Sequence, residues 1–330
     1  MSQVAVLGAG AWGTALAVML ARRGISTVLC VRREQQLAEF RRARENATYL
    51  KGIALPPELE LSAESSAVVA GADMVVVAVP SQHARAAFAP IAASIRPGAI
   101  VVSAAKGIEE SSLLTMTALL ASLAPQAQLS ALSGPGFAAE LARDAPAALV
   151  AASRDREVAL RVQSQFAGPR LRIYTSDDVA GVEICGAVKN VIAIAAGVSD
   201  GLGLGSSARA ALITRGLAEI MRLAEAAGGK RETAAGLSGL GDLVLTCTGE
   251  LSRNRAAGLA LARGELSIDR QSDGQPIAEG IANARSVHAL AGRLGIEMPI
   301  VAAVYRALYE AEPPTAMVEQ LLSRSLKAEF

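Results

Sequence analysis

Residues 3–13 read Gln-Val-Ala-Val-Leu-Gly-Ala-Gly-Ala-Trp-Gly. A strand over Gln3–Leu7 runs straight into Gly8-Ala9-Gly10-Ala11-Trp12-Gly13, a G-x-G-x-x-G pattern. Helical spacing continues from Trp12 to Arg23 and stops at Gly24. Strand, tight turn and helix in this register open a parallel βαβ unit that binds a dinucleotide. Gly8 permits the turn, Gly10 lets backbone approach a pyrophosphate, and Gly13 lets the helix pack closely on the strand. The free amides and positive dipole end of the helix attract the anion. A purely structural glycine turn has the same letters, but the flanking strand, helix and second strand in register favour the nucleotide reading.

The second strand, Thr27–Val31, ends in Arg32-Arg33-Glu34. An acid at this tip holds the ribose hydroxyls of NAD. Two arginines there instead match a 2′-phosphate, which favours NADP(H), with NAD(H) the alternative if Glu34 does the ribose work. Further strands are expected at Met74–Val79, Ile100–Ser103, Leu129–Leu132, Ala147–Ala151 and Leu171–Tyr174. The run Met-Val-Val-Val-Ala-Val is apolar throughout, as in a strand covered on both faces. Strands alternating with helices predict an α/β fold with a doubly wound parallel sheet of Rossmann type.

After Tyr174 the pattern changes. Thr175-Ser176-Asp177-Asp178 is a helix-start signal, and helical spacing dominates from there, as in Arg209–Ala227 before Gly228-Gly229. The expected organisation is a nucleotide-binding domain over 1–178 and an all-α C-terminal domain over 179–330, with the site in the cleft between them. A chain of 330 residues fits two domains.

Composition removes several function classes. With 52% hydrophobic and 19% charged residues the chain is not intrinsically disordered. Lys+Arg 32 against Asp+Glu 31 gives net +1, too balanced for a general nucleic-acid binder. Cys30, Cys185 and Cys247 have no metal-ligand spacing, and an odd count argues against a disulfide framework. Two His and no carboxylate cluster at ligand spacing predict no metal. The apolar run Val179–Val198 carries Glu183 and Lys189, which a free membrane span resists. The glycine loop begins at Gly8, leaving no room ahead of it for a secretory leader. The expectation is a cytoplasmic protein with a small-molecule substrate and no stable membrane insertion. An apolar helical face suits a homodimer.

Only five basic residues are Lys: 51, 106, 189, 230 and 327. Lys189 lies in Gly181-Val-Glu-Ile-Cys-Gly-Ala-Val-Lys-Asn-Val-Ile-Ala193, a helix of small and β-branched residues of the kind buried all round. Burial favours the neutral amine, which suits a general acid/base. A structural lysine paired with Glu183 or snorkelling to the surface is the alternative. Further on, Leu237–Leu243 places Asp242 in an apolar glycine turn. Ser252-Arg253-Asn254 opens a helix whose amides, with Arg253, suit a phosphate monoester; ordinary capping explains Ser252 and Asn254 equally well.

Taken together these stretches resemble bacterial NAD(P)-dependent glycerol-3-phosphate dehydrogenases. The likeness runs through GAGAWGTALA at 8–17, VPSQHARA at 79–86, SAAKGIE at 103–109, LSGPGFAAEL at 132–141, the long block 181–205, GLSGLGDLVLTC at 236–247 and SRNRAAGLAL at 252–261. The resemblance implies reduction of dihydroxyacetone phosphate to sn-glycerol 3-phosphate for glycerophospholipid synthesis, with Lys189 as proton donor/acceptor. It also implies substrate contact at Lys106, Gly134, Gly136, Lys189, Asp242, Ser252, Arg253 and Asn254. Cofactor contact is implied at Gly8, Gly10, Ala11, Trp12, Gly13, Arg32, Arg33, Tyr49, Lys106, Ala138, Arg253, Ile277 and Glu279. The chain departs from the family pattern at Ala11, at Gly136 and at Ser206-Ser207. His83 reads as a loop histidine. The competing readings are a hydroxyacid dehydrogenase with a catalytic lysine, of ketopantoate or 6-phosphogluconate type, and an NADPH sensor without turnover, to which Lys189 and Asp242 would be dispensable.

Overall fold

The structure is a computed structural model that describes residues 3–266, 278–323 and 325. The chain divides into two compact units, Met1–Glu183 and Ile184–Phe330. The first is built on β1 (Val4–Leu7), β2 (Thr27–Cys30), β3 (Glu60–Ser62), β4 (Met74–Val77), β5 (Ile100–Ser103), β6 (Gln128–Ser133), β7 (Ala147–Ala152) and β8 (Leu171–Ser176). Its helices are α1 (Ala11–Arg22), α2 (Glu34–Ala43), α3 (Ser65–Gly71), α4 (Ala84–Phe88), α5 (Met116–Leu123), α6 (Ala138–Ala142) and α7 (Arg156–Phe166). The sheet order is β3-β2-β1-β4-β5-β6-β7-β8, so the chain reverses direction across the sheet between β1 and β4. Both sheet faces are covered. Met74 and Val76 of β4 pack into one core with Val4, Val6 and Leu29, and Val75 and Val77 into another with Ala5, Leu7 and Phe88.

Two features depart from the sequence expectation. β7 runs antiparallel to β6, whereas the other paired strands are parallel. Between them α6 has five residues, about 7.5 Å of helix, too short to carry the chain back along a six-residue strand. The other is β3, three residues paired to Val28–Cys30 and with only Leu61 buried, which gives no apolar run to read.

α8 (Val179–Gly201) carries the chain out of the first unit. Asp178 starts it, accepting from Gly181 N–H at 2.9 Å. Val179–Gly201 is long and apolar enough to cross a membrane, but 89% of its apolar window is buried inside the protein. At its start Glu183 accepts from Thr117 N at 2.8 Å and Thr117 Oγ1 at 2.5 Å, so its carboxylate serves the N-terminus of α5. Burial pushes the Glu183 carboxyl above its ordinary range.

The second unit is helical throughout its described residues: α9 (Gly205–Ala226), α10 (Arg231–Ala235), α11 (Asp242–Thr248), α12 (Arg253–Ala262), α13 (Glu279–Leu294), α14 (Pro299–Tyr309) and α15 (Pro314–Leu322). A π-helical turn, Leu237–Gly241, leads into α11. Glu219 of α9 is buried and takes the first amides of α14, from Ile300 at 2.7 Å and Val301 at 3.2 Å.

All three cysteines are buried and none is in a disulfide. Burial pushes the thiol of Cys30 up to about 11 and that of Cys247 up to about 12. Only the thiolate attacks a disulfide reagent. Folded protein at pH 8 should therefore leave an aromatic disulfide reagent unreacted for many minutes, and denaturant should release three equivalents. Rapid reaction of the native protein would contradict this burial.

Candidate active site

The glycine loop is built for a close-approaching anion. Gly8 has φ +105°, and a Cβ there would lie 2.7 Å from the carbonyl oxygen of Ala78, in the loop after β4. A Cβ on Gly13 would lie 2.0 Å from the oxygen of Gly8, so helix and turn touch backbone to backbone. Gly10 differs: its φ is −78°, and a Cβ there meets nothing within 4 Å. Its missing side chain leaves open space at the first turn of α1, where no acidic residue and no side-chain cap competes for the amides. The buried Trp12 Nε1 has no hydrogen-bond partner among the described residues. These features fit a dinucleotide pyrophosphate.

Other cofactor candidates gather at the same edge of the sheet. Arg32 and Arg33 are exposed just past β2, which pairs with β1 up to Leu7 and Cys30. Tyr49 is held near the loop by a residue not predicted from sequence. Asn46, fully buried, donates to Ala9 O at 3.0 Å and Thr14 Oγ1 at 2.8 Å, and accepts from Tyr49 N at 3.2 Å. Lys106 Nζ donates to Gly134 O at 2.9 Å and stands 5.9 Å from the Trp12 ring centre. Gly134 has φ +126° and needs to be glycine. Gly136 does not, since a Cβ there would meet the Trp12 ring at an ordinary 3.4 Å. Ala138 is the first residue of α6. His83 is exposed in a short turn after β4.

In the second unit Lys189 and Asp242 form a buried pair. Lys189 Nζ donates to Asp242 Oδ1 at 2.9 Å and to Thr246 Oγ1 at 2.7 Å, with the two residues 6% and 1% exposed. Thr246 in turn donates to the backbone oxygen of Asp242 at 2.6 Å, one turn back along α11. The lysine therefore has a counter-ion, and it is Asp242 rather than Glu183, whose carboxylate is engaged by Thr117. A carboxylate at this distance favours the ammonium form and opposes the effect of burial. The wide turn before Asp242 depends on Gly239, whose Cβ would lie 2.0 Å from Ala234 O.

α12 supplies a second polar cluster. Ser252 is its N-cap, accepting from Arg255 N at 3.2 Å. Asn254 is buried, donates to Asn190 Oδ1 at 2.8 Å and accepts from Gly280 N at 2.9 Å. Arg253 is exposed at the first helical position. Glu279 opens α13 beside Gly280, and Ile277 lies outside the described residues.

Comparison with known proteins decides the family. The model of the NAD-dependent glycerol-3-phosphate dehydrogenase N-terminus matches residues 3–159, and that of the C-terminus matches residues 178–319. The chain belongs to this family. A glycerol-3-phosphate dehydrogenase [NAD(P)+] of Solidesulfovibrio magneticus is 48% identical over 99% of this chain and 100% of its own length. One of Geobacter sulfurreducens is 48% identical over 99% of this chain and 98% of its own. The crystal structure of glycerol-3-phosphate dehydrogenase from Coxiella burnetii superposes with a TM-score of 0.93 at 40% identity, covering 98% of this chain and 99% of that one. As a glycerol-3-phosphate dehydrogenase family member the chain is an NAD(P)-dependent oxidoreductase with a small-molecule substrate. Among its described residues no group of three or more His, Cys, Asp or Glu is placed to hold a metal ion.

Proposed function

We propose that Lys189 moves the proton in the NAD(P)H-dependent reduction of dihydroxyacetone phosphate to sn-glycerol 3-phosphate, the reaction that family membership assigns to this chain. The supporting observation is the buried Lys189–Asp242–Thr246 triad, which fixes an ammonium group in a place where a solvated lysine gains nothing. When bound, the reduced nicotinamide supplies the hydride that converts the carbonyl carbon to CH–OH. Lys189 Nζ gives a proton to the ketone oxygen as charge develops there, and takes it back in the oxidative direction. Asp242 keeps the spent lysine from persisting as a neutral amine, because its carboxylate favours reprotonation. Thr246 holds both in register.

Arg253 and the free amides at the start of α12 hold the phosphate, with Ser252 and Asn254 shaping that turn. Lys106, fixed on Gly134 and beside Trp12, adds a cation near both cofactor and substrate, while Gly136 offers backbone alone. Tyr49, Ala138 and Glu279 complete the cofactor contacts. Three buried thiols outside any disulfide suit a reducing compartment, the cytoplasm.

Arg32 and Arg33 select NADP(H) over NAD(H) by pairing with the 2′-phosphate. The double variant R32S/R33S should lower kcat/KM for NADPH about tenfold or more and change that for NADH about twofold at most. Equal kcat/KM values for the two cofactors in the wild type would instead assign the ribose to Glu34. The function itself is tested by following reduced-nicotinamide absorbance with dihydroxyacetone phosphate; no oxidation of either cofactor would refute it.

A further inference from the structure

Two arginines of the second unit converge on one carboxylate. Asp200, near the end of α8, accepts from Arg255 Nε at 2.7 Å and Nη2 at 2.6 Å through Oδ2, and from Arg209 Nη1 at 2.8 Å through Oδ1. Its side chain is 10% exposed and that of Arg255 20%, so water and salt screen this pair far less than an open surface pair. Arg255 is the third residue of α12, directly behind Ser252-Arg253-Asn254. A cation in the first turn opposes the helix dipole, so helix stability does not explain it.

The same two helices meet at two other levels. A Cβ on Gly258 would lie 2.0 Å from Ile194 O, and one on Gly197 would lie 2.1 Å from Arg255 O, so the backbones of α8 and α12 are in contact. Nearer the start of α8, Asn190 accepts from Asn254, and Asn190 is the neighbour of Lys189. Backbone contact sets how closely the helices approach, but it resists sliding and rotation weakly. The polar tethers at 190–254 and 200–255 restrict those movements.

We propose that Asp200 is a positioning residue: through Arg255 it fixes the start of α12, and so the substrate's phosphate, at a set separation from Lys189. This rests on the reading of the α12 start as the phosphate site. Arg209 adds to the effect. One carboxylate between two guanidinium groups leaves a surplus positive charge behind that turn, which attracts a phosphate dianion. A phosphate gripped out of place leaves the carbonyl poorly set against Nζ, so the binding energy of the phosphate is used less well.

The experiment compares dihydroxyacetone phosphate with glycolaldehyde, which keeps the hydroxymethyl carbonyl but lacks the phosphate. D200N should lower kcat for dihydroxyacetone phosphate about tenfold, keep KM within about twofold, and leave kcat/KM for glycolaldehyde unchanged. R255Q should do the same, and D200E should recover most of the loss. Equal impairment on both substrates, or on neither, overturns the proposal. If D200N does not fold, R255Q carries the same test from the more exposed side of the pair. R253Q judges the underlying reading separately. A loss confined to the phosphorylated substrate in R253Q, with D200N and R255Q silent, refutes the role of Asp200 alone. An unchanged substrate ratio in R253Q removes the phosphate site itself.

Discussion

Replacing Lys189 is expected to lower kcat by about three orders of magnitude while NADPH binding stays within about twofold of wild type. The first part follows from chemistry: without Nζ the ketone oxygen develops negative charge with no proton donor in contact. The second follows from position, because the glycine loop, Trp12 and the two arginines past β2 belong to the first unit and Lys189 to the second. The single variant K189A also leaves Asp242 buried, 1% exposed, with its counter-ion gone, a situation that costs about 3–5 kcal/mol in typical buried pairs. Loss of activity alone is therefore ambiguous. The double variant K189M/D242N removes both charges together and should regain most of the stability, measured as Tm, with none of the turnover. Recovered activity in the double variant would remove Lys189 from the proton-transfer step.

Gly10 gives the second large effect, and it separates binding from folding. At Gly13 a methyl group meets backbone at 2.0 Å, so G13A damages the turn itself. At Gly10 the φ of −78° suits any residue and the added Cβ meets nothing within 4 Å. G10A should therefore leave the Tm of the cofactor-free protein unchanged. The methyl group nonetheless occupies the space through which the pyrophosphate reaches the α1 amides, and NADPH affinity should fall about a hundredfold. Fluorescence titration with NADPH and a melting curve measure the two quantities. Undiminished affinity would place the pyrophosphate elsewhere.

What the sequence disclosed, and what it withheld, follows the range of the interactions. β1, β4 and β5 were legible because a strand covered on both faces reads as an unbroken apolar run. The glycine turn was legible because its demands fall on adjacent residues. β3 carries one buried side chain, and the direction of β7 depends on how far a five-residue helix reaches. Neither leaves a local pattern. The burial of Lys189 was readable from its helix, but its partner lies 53 residues away and Thr246 57 residues away. Only the spacing of Asp242 and Thr246, four apart on one face of α11, carried a hint of that triad. Asn46, Glu219 and Asp200 are side chains that serve distant backbone or distant arginines, and their letters alone look like those of any loop or helix end.

Steady-state oxidation of NADPH by the wild-type enzyme, with dihydroxyacetone phosphate and with ketopantoate in parallel, tests the central claim most directly. The arrangement of Lys189, Asp242 and the α12 start predicts rapid oxidation with the phosphorylated ketone, formation of glycerol 3-phosphate in equal amount, and none with the carboxylate. Turnover of ketopantoate with an inert phosphorylated ketone would contradict both the phosphate-binding helix start and the reaction assigned to this chain.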